Sequence, residues 1–181
     1  MAIKFLRRHF KALALILSIA VSILIFVFRS KFMGLQGYGL FGLFILSIIG
    51  NATIILPTPI ILSAFVAGAV FNPLAVAVVV AFGATIGEMT GYLAGYGSAD
   101  LIEKDLKIQR IKKWIDRFGL WVIFVLAVIP NPFFDLAGIV AGANEISVKK
   151  YLIVVFAGKL IKFGIFAYLG ANSIDFLDKF I

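Results

Sequence analysis

A chain of 181 residues that is 62% hydrophobic and only 14% charged is too apolar for an ordinary soluble domain, and its mean hydropathy of +1.10 points to one integral membrane domain. The absence of cysteine excludes disulfides and thiolate metal sites. The single histidine, His9, sits in an N-terminal basic stretch, which excludes His-based catalytic triads and intramembrane His metal sites, so no metal, no cofactor and no enzymatic activity are expected. The net charge of +8 comes from basic residues that flank apolar runs, as orientation signals do, and not from a nucleic-acid surface.

The chain opens with "KFLRRHFK" and a 17-residue apolar run, "ALALILSIAVSILIFVF". The run is long for a signal-peptide core and "RSKFMG" after it offers no small-residue cleavage site, so it reads as an uncleaved first transmembrane helix, residues 1–36 with its link. After a glycine-rich break, "LFGLFILSIIGNATIIL" leads into "PTP" (Pro57 to Pro59), and "IILSAFVAGAVF" follows, stopping at Asn72-Pro73. Those last 12 residues make roughly 18 Å of helix against roughly 30 Å of hydrocarbon. The spacing predicts a hairpin over 38–72 that enters the membrane and returns on the same side, its non-helical tip shielded by protein or a wet cavity.

A full-length helix is expected over 74–97. A connector over 98–118 follows, with apolar residues at Leu101, Ile108, Ile111, Ile115 and Phe118 and with Lys104, Lys107, Arg110, Lys112, Lys113 and Arg117 over much of the rest. That pattern is a basic amphipathic helix at a membrane surface, a connector and orientation signal that also suits anionic lipids. Trp114 and Trp121 flank the same interface. A second hairpin over 119–144 carries "PNP" (Pro130 to Pro132), and a second long helix runs over 149–170.

"PTPIILSAFVAG" (57–68) and "PNPFFDLAGIVAG" (130–142) share Pro-x-Pro, seven or eight residues, then Ala-Gly, then a polar break and a long helix, which is an internal repeat. With the basic N-terminus and the connector cytoplasmic, the two hairpins dip from opposite faces. The fold class expected is therefore all-α: an inverted repeat of two re-entrant hairpins, each followed by a transmembrane helix, in a multi-pass protein of the cell membrane with its N-terminus inside.

Four ionisable residues fall within the predicted membrane segments: Glu88, Asp135, Lys159 and Lys162. Each costs roughly 2.5–3.5 kcal/mol at a helix centre, so four in so small a chain are expected to face one another or water. Lys159 lies too deep to snorkel easily, and Lys162, three residues on, shares its face. Glu88 reads either as a structural ion-pair partner of these lysines or as a proton carrier. Asp135 reads either as a helix cap after Pro132 or as a proton carrier. Asn51 and Asn131 bond hairpin backbone or line a path. The breaks at Pro57, Pro59, Pro130 and Pro132 free backbone N–H groups at depth, where helix N-termini and the two lysines suit a phosphate. Glycines at 83, 87, 91 and 95 recur every four residues, the spacing of close helix packing.

Three stretches carry a resemblance. In "GATIGEMTGYLAGYG", Gly83-Ala84, Gly87-Glu88, Tyr92 and Gly95 recur in a recognisable pattern; "RFGLWVIFVLAVIP" contributes Arg117, Gly119, Phe124 and Pro130; "GKLIKFGIFAYLG" contributes Gly158, Tyr168 and Gly170. Together, over about residues 40–172, they resemble the DedA family, also described as the SNARE-associated Golgi protein or VTT domain. The resemblance implies paired re-entrant hairpins and transport or scrambling of anionic lipids or lipid-linked phosphates, with coupling to the proton gradient. The chain departs from the family where many members carry a Glu after the first Pro-x-Pro (here Ile60 and Ile61) and two arginines at the second hairpin (here Ala127 and Phe133). The expected partners are membrane lipids of anionic character and no nucleic acid, and a homo-oligomer is compatible with the reading. Other functions that fit the residues are a proton-coupled antiporter of small ions or drugs, and a membrane organiser that acts by packing alone.

Overall fold

The computed structural model describes residues 38–52, 60–98, 106–131 and 133–177, with the helical positions Leu13, Ile16 and Ala20. Most of the predicted first span, the first Pro-x-Pro (Pro57 and Pro59) and Pro132 lie outside the described residues. Every regular element among the described residues from 38 onward is an α-helix: α1 Gly39–Ala52, α2 Ile60–Val70, α3 Pro73–Gly87, α4 Met89–Gly97, α5 Leu106–Phe118, α6 Leu120–Val128, α7 Phe134–Ala143 and α8 Val148–Leu177.

Among the described residues, two stretches are long and apolar enough to cross a membrane, Pro73–Gly97 and Val148–Ser173. The first begins where the sequence dictates. Asn72 Oδ1 accepts from the Leu74 and Ala75 N–H groups at 3.0 and 3.1 Å, and Pro73 occupies the first helical position, where a missing N–H costs nothing. A turn at Glu88 separates α3 from α4, yet the backbone ladder continues across it, Glu88 N–H to Ala84 O at 3.0 Å and Tyr92 N–H to Glu88 O at 3.2 Å. The second helix runs past the expected end at residue 170, to Leu177.

The four hairpin helices are shorter, 14, 11, 9 and 10 residues for α1, α2, α6 and α7. At 1.5 Å per residue, about 21 Å is the longest of them. Each packs on a long helix: α1 on α3, α2 on α8, α6 on α8 and α7 on α4, while α3 and α8 pack on each other. Glycine sets these contacts. A Cβ at Gly83 would lie 2.6 Å from the Phe44 carbonyl, one at Gly87 would press on Ile48 and Asn51, and one at Gly95 would overlap the Ile139 carbonyl. Gly68 and Gly170 bring α2 and α8 together in the same way, against Ala167 and Phe65. The four-residue glycine spacing thus serves two neighbours, Gly83 and Gly87 facing α1 and Gly95 facing α7. Gly91 is looser: a Cβ there would lie 3.9 Å from the Asp135 carbonyl, an ordinary contact.

The order of these contacts gives directions. Phe44 and Ile48 of α1 lie beside Gly83 and Gly87, and the Thr90 hydroxyl donates to the Ala52 carbonyl at 2.7 Å, so α1 runs parallel to α3. Phe71, just past α2, lies against Gly39 at the start of α1. Asp135 lies beside Gly91 and Ile139 beside Gly95, so α7 runs parallel to α4. Ala77 lies beside Gly164 and Glu88 bonds Lys159, so α8 runs antiparallel to α3.

The amphipathic connector helix differs from a purely membrane-surface element. Ile111 and Ile115 of α5 are buried in a cluster with Val140 and Ala141 of α7, so its apolar edge is covered by protein. Trp114 and Phe118 remain exposed beside Arg110, Lys113 and Arg117. Gly119, at φ +63° and ψ −145°, turns the chain from α5 into α6, a conformation essentially restricted to glycine.

Candidate functional site

Polar side chains in an apolar interior must satisfy one another, and most do so locally. The Ser47 and Thr85 hydroxyls donate to carbonyls one turn back, Leu43 O and Ala81 O, each at 2.7 Å. Thr90 closes the end of α1 by taking its last carbonyl, which would otherwise be an orphan acceptor at depth.

The exception is a charged centre where four elements meet. Lys159, near the middle of the Val148–Ser173 stretch, is 1% exposed. Its ammonium donates to Glu88 Oε1 at 2.5 Å and to Asn51 Oδ1 at 2.6 Å. Asn51 is held in turn by its own Nδ2, which donates to Ser47 O at 2.8 Å. Below the ammonium lies the ring of Phe134, the first residue of α7, 4.8 Å to its centroid. Glu88, at the α3–α4 joint, is 3% exposed. The structure therefore joins Asn51, Glu88 and Lys159, which are far apart in sequence, into one triad, Glu88 and Lys159 buried and Asn51 half-buried.

Lys162 lies one turn along α8 and is 8% exposed. Its ammonium stands 5.7 Å from the Phe134 ring and 5.3 Å from the Phe163 ring. Among the described residues no carboxylate reaches it within ion-pair distance. Asp135 is half-buried in the first turn of α7, within coulombic range of both lysines. The centre thus holds two cations and two carboxylates, one pair closed and the other open.

The cap expected of Asp135 is absent. The N-cap of α7 is Phe133, which makes no side-chain capping bond, and Asp135 sits two positions inside the helix. Asn131 takes over the tip. Its Oδ1 accepts from the Phe133 N–H at 2.9 Å, while its Nδ2 donates to Leu126 O and Ile129 O at 2.8 and 2.7 Å. One side chain thereby ties off the end of α6 and the approach to α7 on either side of Pro130. Sequence reasoning also passed over Phe134, which seats both ammonium groups. The available signal was an aromatic pair, Phe133-Phe134, directly after a proline break and beside an intramembrane acid.

Helices that bury charge against charge at depth, around two stretches able to span a bilayer, define a helical membrane protein. The VTT domain matches residues 56–172, and the chain belongs to that family, the SNARE-associated or DedA family of membrane proteins. The chain is similar to the Vacuole membrane protein KMS1 of Arabidopsis thaliana, 34% identical over 58 residues. That stretch is 30% of this chain and 14% of the relative's length. No solved structure matches.

Proposed function

We propose that the protein moves an anionic lipid or lipid-linked phosphate across the membrane as a transporter or scramblase, coupled to the proton gradient, and that it is not an enzyme. The observation that carries this reading is Lys162, a buried ammonium seated on two aromatic rings with no carboxylate in ion-pair contact among the described residues. Lys159 has its charge answered by Glu88, so Lys162 is the cation left to receive a phosphate. Asp135 nearby supplies a group that exchanges a proton as the anion comes and goes, and Asn51 orients the paired lysine.

The architecture proposed for this role is an inverted repeat of two re-entrant hairpins, in a multi-pass protein of the cell membrane with a cytoplasmic N-terminus. Its support is the symmetry of the packing. In each repeat the first hairpin arm lies on one long helix and the second arm on another. Glycines set contacts of both kinds, and the two long helices run antiparallel. The close approach of Gly39 and Phe71 favours both ends of the first hairpin on one side.

Reconstitution into phosphatidylcholine liposomes containing a fluorescent phosphatidylglycerol tests the function. The expected result is accelerated loss of inner-leaflet fluorescence protection, falling at least tenfold in Lys162→Gln while the variant still inserts and stays monodisperse. Lipid movement unchanged by that substitution retires the phosphate role. Proton or small-ion flux without lipid movement transfers the charged centre to an ion antiporter.

A further inference from the structure

Two side-chain polar atoms among the described residues are buried without a hydrogen-bond partner, Tyr151 Oη and Asn144 Nδ2. Both belong to the junction of α7 and α8, between the charged centre and the 144–147 end of the molecule. Tyr151 is fully buried. Its ring packs on Tyr92 of α4 at 5.2 Å between centroids. Its hydroxyl points at α7 where Gly138 leaves room, since a Cβ there would come within 2.9 Å of Oη. The Tyr92 hydroxyl is committed, donating to the Ile146 carbonyl at 2.5 Å.

An unpaired buried hydroxyl is rare because it forfeits the bonds it made in water, so one held in place between the Tyr92 ring and a glycine calls for a partner. The titratable groups within coulombic range of it are Glu88 at the α3–α4 joint, Asp135 on α7 and Tyr92 on α4; Tyr96 and Glu145 lie within range of Tyr92, and Lys159 and Lys162 within range of Asp135. Tyr92 lies one turn from Glu88 along the same helix, and Gly138 lies one turn from Asp135. Asn144, the Tyr92–Ile146 bond and Tyr151 therefore lie between the 144–147 end and the helical turns that carry the two carboxylates.

We propose that Tyr151 is a proton-relay residue, its hydroxyl binding water in a narrow polar track that joins the 144–147 end of the protein to Glu88 and Asp135. In one transfer Oη accepts a proton from the water on its outer side, which is reprotonated from the 144–147 end, and releases its own to a water on the inner side, which passes a proton on to a carboxylate. The phenol stays neutral and only one proton has moved. A tyrosine suits this place because it carries a proton through an apolar layer without adding a further buried charge. The relay rests on the reading of Asp135 as the proton carrier.

Two measurements test it on the full chain in liposomes. Radiolytic hydroxyl-radical footprinting read by mass spectrometry labels residues beside bound water, so Tyr151 is expected to be modified at a rate comparable with Tyr168, which is 53% exposed. A dry, unmodified Tyr151 overturns the proposal. Tyr151→Phe removes one oxygen and keeps the ring, so the melting temperature is expected to hold while proton uptake, followed with an internal pH dye under an imposed gradient, slows at least tenfold. Uptake within twofold of wild type overturns the relay alone. A wild-type protein that takes up no protons overturns the coupled reading and the relay together, while the response of lipid movement to Lys162→Gln remains a separate result.

Discussion

Glu88, Asp135, Lys159 and Lys162 are chemically two similar pairs, yet their surroundings give them different work. The Glu88–Lys159 pair is closed and nearly inaccessible. Breaking a buried pair from one side strands the other charge, so Glu88→Gln is expected to cost about 3–5 kcal/mol, read as a lower melting temperature in detergent. The double variant Glu88→Met with Lys159→Met leaves no stranded charge and is expected to recover most of that loss; a double variant no better than the worse single one removes the ion-pair explanation. Asp135 should behave differently. With no capping bond to lose, Asp135→Asn forfeits the attraction of a carboxylate to the first turn of α7, about 0.3–1 kcal/mol, together with its coulombic attraction to Lys159 and Lys162. As an amide cannot titrate, the same variant is expected to make transport insensitive to an imposed pH gradient. Wild-type gradient sensitivity in the asparagine variant would take the proton role away from Asp135. The pairing of Glu88 with a lysine was legible in the sequence, because opposite charges at membrane depth need each other. The division of labour was not, because it depends on Phe134 and Asn131, whose roles follow from the three-dimensional path of the second hairpin tip.

At the level of helices, the sequence was most informative where a residue is forced by backbone geometry. Asn72-Pro73 starts α3, Gly119 turns α5 into α6, and the four-residue glycine spacing marks a packing face. Which neighbour covers a face is a tertiary matter. The amphipathy of α5 announced an apolar edge but not that Val140 and Ala141 would cover it, and the glycines announced close packing but not that α1 and α7 would share it. That division predicts unequal tolerance along one helix. Gly95→Ala drives a methyl into the Ile139 carbonyl, and separating α4 from α7 is expected to cost about 1–3 kcal/mol. Gly91→Ala meets only ordinary contact and replaces a poor helix former, so it is expected to be neutral or to gain up to about 1 kcal/mol. Melting temperatures of the two single variants decide; equal losses at both positions would mean that the packing face is not the one described. Thr90→Val is the matching test of α1. It uncaps the Ala52 carbonyl at depth and is expected to cost about 1–3 kcal/mol without touching any charged residue.

For the whole molecule, the question is on which side of the membrane each end of the short helices lies. Basic residues orient the chain but do not settle it, since their sidedness is the same if each hairpin is two crossings or a re-entrant pair. Lengths favour re-entrant arms over crossings. At roughly 14–21 Å, α1, α2, α6 and α7 fall short of about 30 Å of hydrocarbon. Their packing points the same way, with α1 starting beside Phe71 and running parallel to α3 until Ala52 meets Thr90, well past the middle of the Pro73–Gly97 stretch. A cysteine-free chain makes the test clean. Single cysteines at Tyr38 and Asn72 are expected to react with an impermeant maleimide from outside the cell, and those at Ser98 and Ser147 only after the cytoplasmic face is opened. Tyr38 and Asn72 on opposite sides would make the first hairpin a single crossing. The glycine contacts that align α1 with α3 would then have to be rebuilt, because a single crossing cannot bring both ends of the hairpin to the start of α3.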